Sequence, residues 1–240
     1  IGLGYLMIKW GLQKHIICGG GQEVNPFAFG SFDGLSAFSI HESEPTKASR
    51  PFDKTRDGLI PSGGAATVIL ESYESAMERG APILAEVIGY GFSSNGEHIS
   101  NSSVDGQIRS LNIALKDAKI KPEEVDYINA HATSTPGGDF AEAQAIDAVF
   151  EKSRPVVSST KSMTGHLLGG AGAIESVFVV LALKHRLAPP TINIENLDEA
   201  VKVDVVRDVP RPLPAGPIAA INDSFGFGGH NVVLIFKSFE

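Results

Sequence analysis

Apolar positions along the chain fall into short runs separated by glycine, proline and small polar residues, and the runs switch between two periods. Ile1, Leu3, Tyr5, Leu6, Ile8 and Trp10 leave little polar face, which predicts a mostly buried helix over 1–12. The run His15 to Cys18 predicts a buried parallel strand, with Gly19, Gly20 and Gly21 as its exit. Residues 25–56 are rich in Pro, Ser and Gly and read as a surface excursion. A strand is predicted at 67–71 and a helix at 73–79, capped by Ser72 and stopped by Gly80.

A second unit follows. It has strands at 83–92, 125–130 and 156–159 and helices at 105–118, 139–150 and 171–185. Ile108, Leu111, Ile113, Ala114 and Leu115 supply the apolar stripe of the first of these helices, and the last is strongly apolar. Two further strands, 219–225 and 232–237, flank a glycine-rich turn. Strands alternating with helices predict an α/β fold with a mixed sheet layered by helices. A Gly-punctuated helix followed by a short apolar stretch occurs at 2–21 and again at 169–194, a faint internal echo.

The 240 residues are 42% hydrophobic and 20% charged, enough for a real core and unlike a disordered chain. A net charge of -8 with no Lys or Arg run argues against a nucleic-acid partner. The single cysteine, Cys18, allows no internal disulfide, and no Cys/His cluster has zinc-ligand spacing. The longest apolar stretch, Ile174 to Leu183, ends at Lys184-His185-Arg186 and reads as too short for a membrane span. No signal peptide is visible, so a cytoplasmic location is expected. The chain opens on Ile1 and runs straight into apolar residues, which reads as a cut through a longer protein.

Three loops carry candidate chemistry. The first, Asn129 to Asp139, joins a strand to a helix and holds His131, Thr133 and Thr135; its plainer reading is a polar helix cap by Thr135 or Asp139. The second, Ser158 to Gly172, holds Lys161 and His166 among small residues, and a buried Lys161 would need a partner such as Asp139 or Glu142. The third, Asn222 to Asn231, alternates Phe225 and Phe227 with glycines, more than an ordinary hairpin needs.

Taken together and in this order, the loops resemble the β-ketoacyl synthases of the thiolase superfamily. Further matches are Lys47 to Asp53 with Arg56-Asp57-Gly58, Val125 to Asn129, and Pro189 to Asn193. The resemblance covers essentially the whole chain. It implies a thiolase-like fold, with residues 1–81 as the remainder of an N-terminal half and 82–240 as a complete C-terminal half. The implied reaction is decarboxylative Claisen condensation of malonyl-acyl-carrier-protein with an acyl-enzyme thioester in fatty acid elongation, an acyltransferase activity. No cofactor is required, because phosphopantetheine arrives on the acyl carrier protein. That carrier is the implied partner, the parent enzyme is implied to be a homodimer, and neither nucleic acid nor membrane is involved.

By the same resemblance, His131 and His166 hydrogen-bond the malonyl thioester oxygen, and Lys161 acts through electrostatics, tied to Glu142 and Asp139. Thr133 and Thr135 meet the phosphopantetheine arm. Phe227 gates the site and lends its N–H to an oxyanion hole, and Phe225 lines the same turn. Asn129, Glu175 and Asn222 or Asp223 resemble a buried polar cluster holding a structural cation, although Asp223 stands where asparagine is usual. The family's nucleophilic cysteine is expected a few residues upstream of Ile1. Cys18 falls where the family has small apolar residues and reads as a buried hydrophobe. The isolated chain is therefore expected not to condense acyl groups, and its first 81 residues are expected to leave an open strand edge. A thiolase is disfavoured because no second cysteine follows Cys18. A non-catalytic partner resembling a chain-length factor is the alternative.

Overall fold

The computed structural model describes residues 1–239. Its elements follow in chain order: α1 (Gly2–Lys9), β1 (His15–Gln22), α2 (Pro26–Asp33), β2 (Gly64–Glu71), α3 (Tyr73–Glu78), β3 (Ala85–Ser94), α4 (Val104–Ala118), β4 (Val125–Asn129) and α5 (Pro136–Phe150). There follow β5 (Val156–Ser158), α6 (Lys161–Thr164), α7 (Ala171–His185), β6 (Leu187–Ala188), β7 (Asp204–Val205), β8 (Arg211–Pro212), β9 (Ala219–Gly226) and β10 (His230–Ser238).

The central sheet has six strands in the order β3-β10-β9-β4-β5-β7. Antiparallel pairing joins β3, β10 and β9, whereas β9, β4, β5 and β7 run parallel. Strand alternation sends odd and even residues to opposite faces. Ile128, Ile221, Phe225, Val233 and Ile235 pack with Leu111 and Ala114 of α4 and Ala143 and Ile146 of α5. Tyr127, Ala220, Leu234 and Phe236 pack with Val179, Ala182 and Leu183 of α7. The far side of α7 meets β1 and β2, which form a separate two-stranded antiparallel sheet.

That position explains why α7 is apolar nearly all round: it is a helix between two sheets. With the turn before it, Leu168–His185 has a mean hydropathy of 1.3 and is long and apolar enough to cross a membrane by length and composition. The expectation that no such stretch exists is thus corrected. Its packing between both sheets is that of a core helix.

Three other expectations change. α1 is not mostly buried: only Gly2 and Gly4 are, while Leu3 and Trp10 are exposed. β1 is antiparallel rather than parallel, buries only Cys18, and holds the three glycines inside it instead of ending at them. Glycine is needed there because a Cβ on Gly20 would sit 2.4 Å from the carbonyl oxygen of Gly169, where the turn preceding α7 presses against the strand. The 25–56 segment is only partly a surface excursion. It contains α2, capped by Asn25 Oδ1 accepting the Ala28 N–H at 2.9 Å. Beyond it Phe52, Asp53, Arg50 and Arg56 are all buried. Asp53 and Arg56 go inside with partners. Asp53 accepts the N–H groups of Thr55 and Asn196 at 2.7 and 2.8 Å, and Arg56 donates to Asp198 and to the Pro136 carbonyl at 2.8 and 3.0 Å.

Candidate active site

The first loop leaves the C-terminal end of β4 and enters α5. Asp139 and Glu142 lie three residues apart on one face of α5, and both carboxylates turn back toward the loop. Glu142 accepts the N–H of His131 at 2.7 Å and of Ala132 at 2.6 Å. Asp139 accepts the N–H of Ser134 at 3.0 Å and of Phe52 at 2.9 Å, with Arg56 Nε 3.6 Å away. Burial pushes the Asp139 carboxyl up to about 6 and the Glu142 carboxyl up to about 8, against the pull of these N–H donors. Ser134 is held at φ 73°, with its N–H, Oγ and carbonyl all bonded: to Asp139, to the Arg50 N–H and to the Gly58 N–H.

Thr135 occupies the N-cap position of α5, but neither plain capping reading holds. Its side chain makes no cap bond, and its Oγ1 lies 3.0 Å from Thr133 Oγ1, while the Asp139 carboxylate serves Ser134 and Phe52. Two adjacent hydroxyls therefore meet at the entry to α5.

The second loop leaves β5. His166 is pinned at both backbone groups, its N–H to the Ile60 carbonyl at 2.7 Å and its carbonyl to the Ser62 N–H at 3.0 Å. Its ring meets that of His131 edge to face, with centroids 5.2 Å apart. The Leu168 N–H donates to His166 Nδ1 at 3.2 Å, so a neutral His166 carries its proton on Nε2. Burial, then the nearby Lys161 charge, pushes His166 down to about 3. The same causes, with His166 third, hold His131 well below the ordinary imidazole range. Both rings are thus neutral near pH 7 and available as N–H donors.

Lys161 is fully buried and pairs with Glu175 of α7, which corrects the expected tie to Glu142 or Asp139. The reason is the sheet: α7 covers the face of β9 toward which Lys161 extends, whereas Asp139 and Glu142 are engaged on the α5 side. The third loop brings Phe225, buried, to the His131 ring at 6.3 Å. Phe227, beyond Gly226, stacks instead on Phe32 of α2 at 5.6 Å. The structure therefore gathers His131, His166, Lys161, Glu142, Asp139, Glu175 and Phe225 into one region. Ser134 and Phe52 lay inside stretches singled out in the sequence but without a role of their own, and Phe32 was hidden in the segment read as surface.

The polar cluster resolves by strand alternation. Asn129 and Asn222 are register partners on β4 and β9 and face α7 with Glu175. Asp223 lies on the other face of β9, toward Glu142, and its two carboxylate oxygens are buried without a hydrogen-bond partner. The Oδ1 atoms of Asn129 and Asn222 and the Oε2 of Glu175 are buried without a hydrogen-bond partner. Three orphaned oxygens, one from a carboxylate, are the donor type a hard cation takes. Among the described residues no group of three or more His, Cys, Asp and Glu could hold a metal ion. The cysteine Cys18 is buried in β1, against α1.

Family comparisons agree with this geometry. The model for the β-ketoacyl synthase N-terminal domain matches residues 2–76, and that for the β-ketoacyl synthase C-terminal domain matches 84–195. The chain is 44% identical to 3-oxoacyl-[acyl-carrier-protein] synthase 2 of Synechocystis, covering 100% of the chain and 58% of that protein. It is 42% identical to synthase 1 of Haemophilus influenzae, with the same coverage. The chain thus spans a little over half the length of the curated relatives it matches. A solved β-ketoacyl synthase from Burkholderia phymatum superposes with a TM-score of 0.96 at 39% identity, over 100% of this chain and 58% of that one. A type II polyketide ketosynthase, solved with its acyl carrier protein and a bound hexaketide, gives 0.95 at 35% identity over 100% of this chain and 60% of that one. With a thiolase-like fold, paired neutral imidazoles and a buried lysine-glutamate pair on one set of strand ends, the chain belongs to the β-ketoacyl synthase family.

Proposed function

We propose that this chain supplies the decarboxylating half of an elongating β-ketoacyl-acyl-carrier-protein synthase. The observation that carries the reading is the edge-to-face pair His131 and His166, both neutral, with the Leu168 N–H fixing the His166 tautomer. Two neutral imidazole N–H donors side by side suit an oxyanion hole.

A malonyl thioester bound there loses carbon dioxide. The electron pair of the broken C–C bond passes into the enolate, whose oxygen accepts from both histidines. The enolate carbon then attacks the thioester of an acyl group held on a cysteine, and that thiolate leaves. Cys18 is buried in β1 against α1, so the acyl-bearing cysteine is assigned to a residue outside these 240. Burial, helped by the Lys161 charge, holds both imidazoles in the neutral form, and Lys161, paired with Glu175, stands beside the enolate site. Thr133 and Thr135 offer hydroxyls to the amides of the phosphopantetheine arm. The Phe227 turn gates the entrance and lends its N–H to the acyl carbonyl. Asn129, Glu175 and Asn222 would hold a hard cation, which would fix the ends of β4 and β9.

Acyl carrier protein bearing acyl or malonyl groups is the proposed partner, and a homodimer the proposed assembly. Residues 1–81 are assigned to the N-terminal half of the fold and 82–240 to the C-terminal half. Intact histidines and an intact Lys161–Glu175 pair favour this reading over a non-catalytic chain-length-factor role. The test is decarboxylation of a malonyl thioester, which needs no acyl cysteine. His131→Ala and His166→Ala should each lower its rate by about 10²–10³-fold, the usual cost of one oxyanion donor. Variants as fast as the parent would sink the proposal.

A further inference from the structure

The turn between β9 and β10 is held on two sides by different chemistry. On its glycine side, Gly228 and Gly229 adopt φ of 84° and 79°, conformations open to glycine at little cost. The Gly228 N–H donates to the Ile99 carbonyl at 2.8 Å, and the Asn95 N–H donates to the Gly229 carbonyl at 3.0 Å. Asn231 Nδ2 ties the same glycine to Asn95 from below, donating to Asn95 Oδ1 at 2.9 Å and to the Gly229 carbonyl at 3.2 Å. On its aromatic side the Phe227 ring lies on Phe32, centroids 5.6 Å apart and planes 27° apart.

Phe32 is the tip of a small aromatic arm. It stacks on Phe38 at 6.4 Å, and Phe29, one helical turn earlier, meets Phe38 edge-on at 6.2 Å. Phe38 is the fixed post: it bridges to Leu59, and the neighbouring backbone bonds, Leu59 N–H to Ala37 and Ser39 N–H to Leu59, are 2.9 and 3.0 Å. The arm itself, α2, is eight residues long and buries none of them fully. It is joined to the rest of the molecule mainly through this ring stack, and elements with so few buried contacts lie at the low end of local stability.

We propose that α2 is a latch on the Phe227 turn and that Phe32 is the positioning residue that sets how readily the turn opens. The proposal rests on the reading that this turn gates the site, and gives that gate a second moving part. Opening must separate Phe227 from Phe32, while Phe225, buried two residues earlier against His131, stays with the sheet. The hinge is therefore Gly226, and the thioester-bearing arm of a substrate would compete with Phe32 for the Phe227 ring.

Hydrogen exchange of the substrate-free protein tests this, comparing the parent with Phe32→Ala, Phe32→Leu and Phe32→Tyr. An aromatic pair loosened by truncation should speed exchange in the 226–231 turn by roughly 3- to 10-fold. The amides of Ile221 and Ile235 in the sheet should not change, Phe32→Tyr should exchange like the parent, and Phe32→Leu should resemble Phe32→Ala. Unchanged turn exchange in Phe32→Ala overturns the latch. So does an equal rise in the turn and the sheet, or full rescue by leucine, since either makes Phe32 an ordinary packing residue. If Phe32→Ala does not fold, the Leu-against-Tyr comparison decides alone. Because no substrate is present, a failed latch leaves the decarboxylation reading untouched. Equally, histidine variants that fail to slow decarboxylation leave this exchange result standing.

Discussion

Lys161 and Glu175 form an ion pair in which the side chains retain only 1% and 2% of their accessible surface. Such a pair costs much to desolvate and more to break. Lys161→Met, which strands the Glu175 carboxylate, should destabilise the protein by about 3–5 kcal/mol. The double variant Lys161→Met with Glu175→Met should recover most of that loss in denaturant unfolding, because no unpaired charge remains. Decarboxylation should stay impaired in both, since the field beside the histidines is gone. A double variant as unstable as the single one would show that the two side chains do not act as a pair.

Glu142 clasps the backbone on either side of His131, its two oxygens accepting the His131 and Ala132 N–H groups. Glu142→Gln keeps one acceptor and turns an NH2 group toward the other N–H. The expected cost is about 1–3 kcal/mol of stability for the donor left unpaired. Displacing His131 by a fraction of an ångström should also slow malonyl decarboxylation, by up to about 10²-fold. Stability and rate falling together, measured by urea unfolding and thioester turnover, is the expected signature. Loss of neither would show that the clasp does not position His131.

The depressed pKa of His166 has a consequence for acid stability. In the unfolded chain its imidazole titrates near about 6.5. In the fold it titrates at about 3. Between those values the unfolded state binds the extra proton, so stability rises with pH through this window and is complete above it. The slope from this group is at most about 1.4 kcal/mol per pH unit. Asp139, raised to about 6, titrates in the opposite sense across part of the window, so the parent curve alone is a sum. The difference curve between parent and His166→Asn isolates the imidazole. It should slope upward from about pH 3 to about pH 6.5. A flat difference would place the folded pKa near its ordinary value.

Ser134 combines a left-handed backbone with a buried hydroxyl that accepts the Arg50 N–H. The three substitutions Gly, Ala and Val separate these roles. Ser134→Gly relieves strain of about 1–2 kcal/mol but loses the acceptor, and should be nearly neutral. Ser134→Ala keeps the strain and strands the Arg50 N–H, and should cost about 1–3 kcal/mol. Ser134→Val adds a branched side chain at positive φ and should be worst. Equal thermal stability of the Gly and Val forms would contradict the strain argument.

Much of this protein was legible without a structure. Capping and periodicity located α3, α4, α5 and α7 to within a few residues, because helix ends and apolar stripes are local properties. Composition and three loops pointed to the family, and His131, His166 and Phe225 do meet. What local pattern could not supply was partnership across the chain. Lys161 finds Glu175 rather than Glu142 because α7 and α5 lie on opposite faces of the central sheet. Alternation along β9 separates Asn222 from Asp223, but only the packed helices say which carboxylate each one faces. Arg50 to Arg56 looked like surface because polarity was counted without partners, and the partners, Asp139 and Asp198, lie far along the sequence. The residue types and their spacing set the elements and the chemistry available. The layering of helices on a mixed sheet decided which charges cancel, which oxygens stay unpaired and which aromatic ring holds the Phe227 turn, because those outcomes depend on distances between segments that no local rule constrains.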